Sequence, residues 1–432
     1  MATRLQQILN LQAYRLTERA IAYPVGGAVR DHLMGKTPSD VDWVVVGATP
    51  EIMTQLGFQP VGRDFPVFLH PETGEEYALA RTERKTGRGY HGFSFFASPE
   101  VTLEEDLARR DLTINAMAID ENGQLIDPYG GRCDLAQRRL RHITSAFAED
   151  PLRVLRVARF LARWHQEGFV IADETLALMG TIVASGEMQY LTPERVWKET
   201  ERALAESSPR AYFETLRECG ALAVLFPEID RLYGVPNPPK WHPEVDTGIH
   251  TMMVLEQASL LTNDPMTRFA ALCHDLGKGV TPQSQWPSHK GHEHRGVPII
   301  EELCERLKAP KAWRELATLA SEFHLYAHRA TELKPSTLVR LFEQLDAFRR
   351  PERFARWLLV CEADFRGRTG YEHRPYPQGD FLRAAFQAAQ SINAGQIAKR
   401  CDNPQKIPQQ IHLARVHAVR QWKQGAQTHG LH

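Results

Sequence analysis

Asp40 and Asp42, in SDVDWVVV, stand two residues apart, so an extended segment points both carboxylates to one face. Such a pair repels itself unless protonated or bridged by a cation, and hard oxygen ligands suit Mg²⁺ bound together with phosphates. Upstream, GGAVRD at 26–31 sets two glycines between a strand and a helix, where backbone amides approach an anion closely and Arg30 reaches the same place. A plain turn explains the glycines equally well, and Asp-x-Asp recurs in loops; the two together, a short helix and loop apart, point to phosphoryl chemistry. Two cations held by such carboxylates activate an attacking hydroxyl and stabilise a departing pyrophosphate. Arg110 in RRDLTIN suits either a triphosphate or a helix dipole.

In EDPLRVLRVARFLAR, Asp150 reads as a helix cap and Pro151 as the first helical residue. Arg153, Arg156, Arg159 and Arg163 then form one stripe that needs anions or several acceptors. Asp150 with Arg153 matches the donors and acceptors of a base edge. A salt-bridged surface helix is the alternative. A second set of chemical residues follows: His250, the adjacent His274 and Asp275, His292 with His294 close behind, His324 and Asp364. Imidazole and carboxylate together suit a divalent metal that activates water against a phosphoester. Lys278 either holds a phosphate there or caps a helix end.

The elements that must position these residues are of two kinds. To about residue 140 the pattern is mixed α/β. Strands are expected at Ile21–Val25, Asp42–Val46, 66–70 and 76–81, with an Asn122-Gly123 hairpin joining Ala116–Ile119 to Gln124–Ile126. Thr49-Pro50 opens a helix, and Thr102 with Glu105 forms a capping box. From Pro151 onward the periodicity is helical. Prolines interrupt it at 235–243, and eight of the eighteen histidines lie between His242 and His328, marking a domain with its own chemistry. The expected division is 1–140, 141–235, 236–375 and a helical tail at 376–432, with no legible motif in the tail.

A chain of 432 residues, 43% apolar and 24% charged, can bury more than one core. Its apolar runs are too short to span a bilayer and its start lacks a signal-peptide core, so a cytoplasmic protein with no membrane partner is expected. Six cysteines without a CxxC pair indicate neither a zinc ribbon nor a disulfide framework. The net charge of −1 gives no global sign of nucleic acid, which leaves local arginine clusters to supply phosphate contacts.

GGAVRD with DVD, RRDLTIN and EDPLRVLRVARF, in this order and spacing, resemble the class II tRNA nucleotidyltransferases of the polymerase-β-like superfamily, nearest to the bacterial multifunctional branch. The likeness runs from about residue 21 through the rest of the chain. It implies an α+β fold: a nucleotidyltransferase head with a mixed sheet, a mainly α-helical neck and body, and an all-α domain of the HD type. It implies addition of CCA to tRNA from CTP and ATP, with Asp40 and Asp42 as Mg²⁺ ligands. Gly27, Arg30, Arg110, Arg156 and Arg159 would contact nucleotide, and Asp150 and Arg153 would form an amino-acid template reading cytosine and adenine. The segment 63–93 matches the family's flexible region linked to the switch from CTP to ATP.

The histidine-aspartate order resembles the HD phosphohydrolases, implying 2′,3′-cyclic phosphodiesterase, 2′-nucleotidase and phosphatase activities with a divalent metal, Ni²⁺ among the candidates. His250, His274, Asp275, His292, His324 and Asp364 would form that site. A poly(A) polymerase, a CC- or A-only enzyme, and an inactive RNA- or nucleotide-binding protein are the alternatives, the intact carboxylate and HD pairs favouring an enzyme. The oligomeric state is open between monomer and homodimer. Leu5, Ile8, Leu9 and Leu11 suggest a docking helix ahead of the first strand.

Overall fold

The computed structural model describes residues 11–38, 40–61, 67–85 and 93–428. It divides into two compact units, Met1–Thr200 with Ala211–Leu225, and Glu201–Arg210 with Phe226–His432.

The first unit is built on strands β1 (Tyr14–Arg15), β2 (Ile21–Val25), β3 (Asp42–Val46), β4 (Gln59–Val61), β5 (Val67–Leu69), β6 (Glu76–Leu79), β7 (Arg81–Lys85), β8 (Phe93–Ala97), β9 (Ala118–Ile119) and β10 (Leu125–Ile126). The main sheet runs β10-β9-β2-β3-β6-β5-β4, with β1 beside β2, while β7 and β8 pair separately. It is mixed: β3 is antiparallel to β2 and parallel to β6. Pro24 has no N–H to donate, and it falls where β1 and β9 leave the far side of β2 unpaired. Along β3, Trp43 and Val45 enter one apolar cluster and Val44 the other, so both faces of the sheet are covered and Asp42 shares the Val44 face.

Around the sheet, Gly27–Leu33 follows β2, and Thr49 caps the helix Pro50–Gln55 by accepting from Ile52 N. Thr102 and Glu105 form the reciprocal capping box of Leu103–Ala108. The expected hairpin is present as β9 and β10, shorter than the apolar runs suggested. Of the suggested docking helix, Leu5, Ile8 and Leu9 lie outside the described residues and Leu11 is buried in the sheet core. Much of the segment 63–93 also lies outside them.

The second unit is helical. Thr247–Leu261, Pro265–Cys273, His292–Leu307, Lys311–His328 and Pro351–Arg366 form its histidine-bearing part, and Pro377–Gln390, Ala394–Arg400 and Ile407–Thr428 follow. Its core holds Trp357, Phe269, Phe342 and Leu338, all buried. The proline-interrupted segment 235–243 lies within this unit. No helix among the described residues is long and apolar enough to cross a membrane. All six cysteines are free thiols.

Candidate functional sites

A cavity of about 500 Å³ opens in the first unit at the head of β3. Gly26, Gly27, Arg30, Asp42, Arg110, Asp150, Arg153 and Arg156 line it, together with Arg81, Arg109, Asp111, Asn115, Leu152, Phe160 and Arg195. Seven arginines against three aspartates leave an excess of four positive charges, which suits a polyanion. Gly26 has φ +67 and ψ −126, a conformation open only to glycine, and a Cβ there would stand 3.0 Å from Arg110 Nη1. Two sequence candidates stand apart from the lining. Asp40 is exposed just ahead of β3, which begins at Asp42, and Arg159 is buried against Glu199 with its Nε 2.7 Å from Oε2.

The cationic side chains are fixed in place by the chain itself. Arg30 is buried, donates from Nη1 to Asn115 Oδ1 at 2.5 Å and from Nε to Asp31 at 2.9 Å, and lies over the Trp164 ring at 4.6 Å. Arg109 and Arg110 share the buried carboxylate of Asp106 at 2.7 and 3.3 Å. Burial alone would raise the Asp106 pKa, but the two guanidiniums hold it below the usual range.

Asp111 is a hub. It accepts from Leu112 N, Asn115 Nδ2 and Arg156 Nε at 2.9, 3.1 and 2.8 Å. Its burial is outweighed by Arg156, so its pKa is driven well down. Arg153 donates to the carbonyls of Ala146 at 3.0 Å and Arg109 at 2.5 Å, and Asp150 accepts from Leu152 N and from Arg195. The helix itself is Leu152–Trp164, with Pro151 already at helical angles and Asp150 extended in front of it. Arg153, Arg156 and Arg159 of the stripe thus find acceptors inside the protein, and Arg163 lies over the Trp164 ring at 5.5 Å. Asp106 was within reach of sequence reasoning through its three- and four-residue spacing to Arg109 and Arg110; Glu199 and Arg195, forty and forty-five residues from their partners, left no local signal.

In the second unit, four helices and the turn after Cys273 bring His250, His274, Asp275, His292, His324 and Asp364 together, all buried. Gly277 permits this, because any Cβ on it would overlap the carbonyl of His292. The histidine Nδ1 atoms face carbonyl oxygens: Gly367 for His250 at 3.0 Å, Ala271 for His274 at 2.7 Å, His289 for His292 at 2.9 Å and Ser321 for His324 at 2.8 Å. In each neutral ring the proton therefore sits on Nδ1 and the bare lone pair is on Nε2.

Those lone pairs converge. His274 and His250 Nε2 stand 3.3 and 3.9 Å from Asp275 Oδ2, His292 and His324 Nε2 3.1 and 3.7 Å from Oδ1, and His292 Nε2 is 3.4 Å from His324 Nε2. Asp364 Oδ1 adds 3.2 Å to His250 and 3.7 Å to His274. Acceptors facing acceptors repel unless a cation lies among them. His274 Nε2 and Asp275 Oδ1 are buried without a hydrogen-bond partner, so the donor set fits divalent metal, with Asp275 common to both groups of imidazoles.

Burial pushes the His324 pKa down to about 3, keeping its lone pair free at neutral pH. Burial also opposes charge on His274, but Asp275 and Asp364 raise its pKa. Asp275 is driven well down by Lys278 and His274 against the effect of burial. His294 is 71% exposed and points away from this group. Sequence reasoning missed His328, 2.6 Å from Asp364 Oδ2 and one turn beyond His324. It also missed Glu244, 3.0 Å from His250 Nδ1 and 2.9 Å from His242, hidden in the proline-rich stretch.

Known proteins resemble this chain throughout. Residues 22–141 match the Poly A polymerase head domain, 168–233 the probable RNA and SrmB-binding site of polymerase A, and 247–350 the HD domain. A Multifunctional CCA protein of Thioalkalivibrio sulfidiphilus (strain HL-EbGR7) is 61% identical over 401 residues, covering 93% of this chain and 98% of that protein. Among solved structures, an apo CCA-adding enzyme shares the fold with TM-score 0.64 at 20% identity, covering 93% of this chain and 88% of its own. The Bacillus stearothermophilus CCA-adding enzyme in complex with CTP does so with TM-score 0.59 at 23% identity, covering 93% and 89%.

Proposed function

Since the chain belongs to the family of multifunctional CCA proteins, we propose that it adds CCA to the 3′ end of tRNA from CTP and ATP without a nucleic-acid template. The observation that carries this is the arginine-rich cavity with Asp42 at its edge and Gly26-Gly27 in its wall. Asp40 and Asp42 would hold Mg²⁺, which supplies charge neutralisation for the attacking hydroxyl and the leaving pyrophosphate. Arg30 and Arg110, already oriented by Asn115, Asp31 and Asp106, bind the triphosphate with little reorganisation. Gly27 lets the backbone approach it, and Arg156 supports it from its pair with Asp111.

Asp150 and Arg153 present an acceptor beside a donor to a base edge; each is anchored by one set of bonds and keeps others to offer. Arg159 acts through Glu199 to hold the same helix.

The HD domain would hydrolyse phosphoesters, as a 2′,3′-cyclic phosphodiesterase, 2′-nucleotidase and phosphatase. His250, His274, Asp275, His292, His324 and Asp364 would hold divalent metal there, nickel among the candidates, to supply an activated water. Lys278, 2.7 Å from Asp275, suits the phosphate. A cytoplasmic location and a monomer or homodimer belong to the same reading.

Purified protein with Mg²⁺, tRNA lacking its last three nucleotides, and labelled CTP and ATP tests the transferase on a sequencing gel. Extension should stop at three nucleotides and disappear with Asp40→Ala/Asp42→Ala. Long adenosine tails would mean a poly(A) polymerase, one or two additions a CC- or A-only enzyme, and RNA binding without extension an inactive module.

A further inference from the structure

The cavity above the imidazole cluster measures about 680 Å³, and the metal-compatible residues account for only part of its wall. Trp241 lines the same cavity while remaining 54% exposed. What distinguishes it from other exposed apolar side chains is its place on the wall of a polar cavity, where its indole offers a flat apolar face to a ligand's ring.

Its turn is firmly held. Trp241 N and His242 N donate to Pro238 O at 3.0 Å, and Pro236 bridges Asp246. His289 Nε2 meets Pro236 O at 2.8 Å, and Lys278 Nζ donates to the buried Asn237 at 3.0 Å. The ammonium of Lys240 stands 4.7 Å from the indole centroid and covers one face. Among the described residues no aromatic ring packs against the other. Lys278, His328 and Arg368 line the cavity as well and supply the counterpart for an anion.

A ligand that fits both features has a flat ring at one end and a phosphate at the other. We propose that Trp241 is the stacking platform for the base of a nucleoside phosphoester whose phosphate enters the histidine-aspartate cluster. The inference rests on the phosphohydrolase reading above and deepens it: the site would select nucleotides and RNA ends over simple phosphate esters. Stacking is sequence-tolerant, since every base presents a π face.

The full-length protein, with Mg²⁺ and in parallel with Ni²⁺, is compared with Trp241→Leu and Trp241→Phe, using adenosine 2′-phosphate and glycerol 2-phosphate as esters with and without a base. In Trp241→Leu the ratio of kcat/KM for the nucleotide over the glycerol ester should fall about tenfold, mostly through KM, and Trp241→Phe should restore it to within about threefold. Saturable quenching of indole emission by adenosine 2′-phosphate should lose one component in Trp241→Leu. An unchanged ratio, including an equal fall for both esters, overturns the platform. If the parent hydrolyses neither ester, the phosphohydrolase reading fails, and the quench alone decides the platform: lost in Trp241→Leu it stands, identical in both proteins it falls.

Discussion

Asp111 shows how a single residue organises the first cavity. Its carboxylate is buried, while Arg156 opposite it is about a third exposed, so removing the charge leaves a guanidinium that water reaches in part. Asp111→Asn should cost about 2 kcal/mol at neutral pH, below the 3–5 kcal/mol of a fully buried pair, as read by urea unfolding. The pH dependence has a definite sign. A carboxyl whose folded pKa is depressed contributes its full stability above the unfolded value near ~3.9, and loses it as pH falls toward the folded value. The gap between parent and Asp111→Asn should therefore narrow below about pH 4. A gap that stays constant to pH 2.5 would mean that the ion pair contributes nothing net. The same residue marks a limit of sequence reading. Arginine spacing on one helix revealed a need for anions, but the anion for Arg156 lies forty-five positions away and only folding delivers it.

At the scale of elements, the second cluster depends on how closely the turn at Leu276–Val280 meets the helix His292–Leu307. Gly277 sits at that contact, where a methyl group collides with backbone rather than with a movable side chain. Gly277→Ala should lower stability by about 1–3 kcal/mol and separate Asp275 from His292. The expected readout is a lower melting temperature and loss of phosphoester hydrolysis, with CCA addition retained at permissive temperature; unchanged hydrolysis would show that the turn tolerates the displacement. Strands were readable because Trp43, Val44 and Val45 alternate toward two cores, and helix starts because Thr49 and Thr102 carry their own acceptors. The cluster was readable as an order of residue types. Its partners His242 and Glu244 were not, since the prolines at 236, 238, 239 and 243 made a structured turn look like a linker.

For the whole molecule, each compact unit contains its own cluster, which predicts separable losses. His274→Ala should abolish phosphoester hydrolysis and leave three-nucleotide addition to tRNA within about twofold of the parent; a collapse of both activities would show that the second cluster supports the first. The chain does not divide as simply as its chemistry. Residues 201–210 belong to the second unit and 211–225 return to the first. Arg268, buried deep in the second unit, donates to the carbonyls of Leu204 and Glu206 at 2.7 and 2.8 Å. Inheritance of the two halves is therefore asymmetric. A stop codon after residue 225 releases the whole first unit with ten surplus residues, whereas an internal start codon at the same point strips the second of the strand of chain that Arg268 grips. Gene fission can free one partner of this fusion and strands the other.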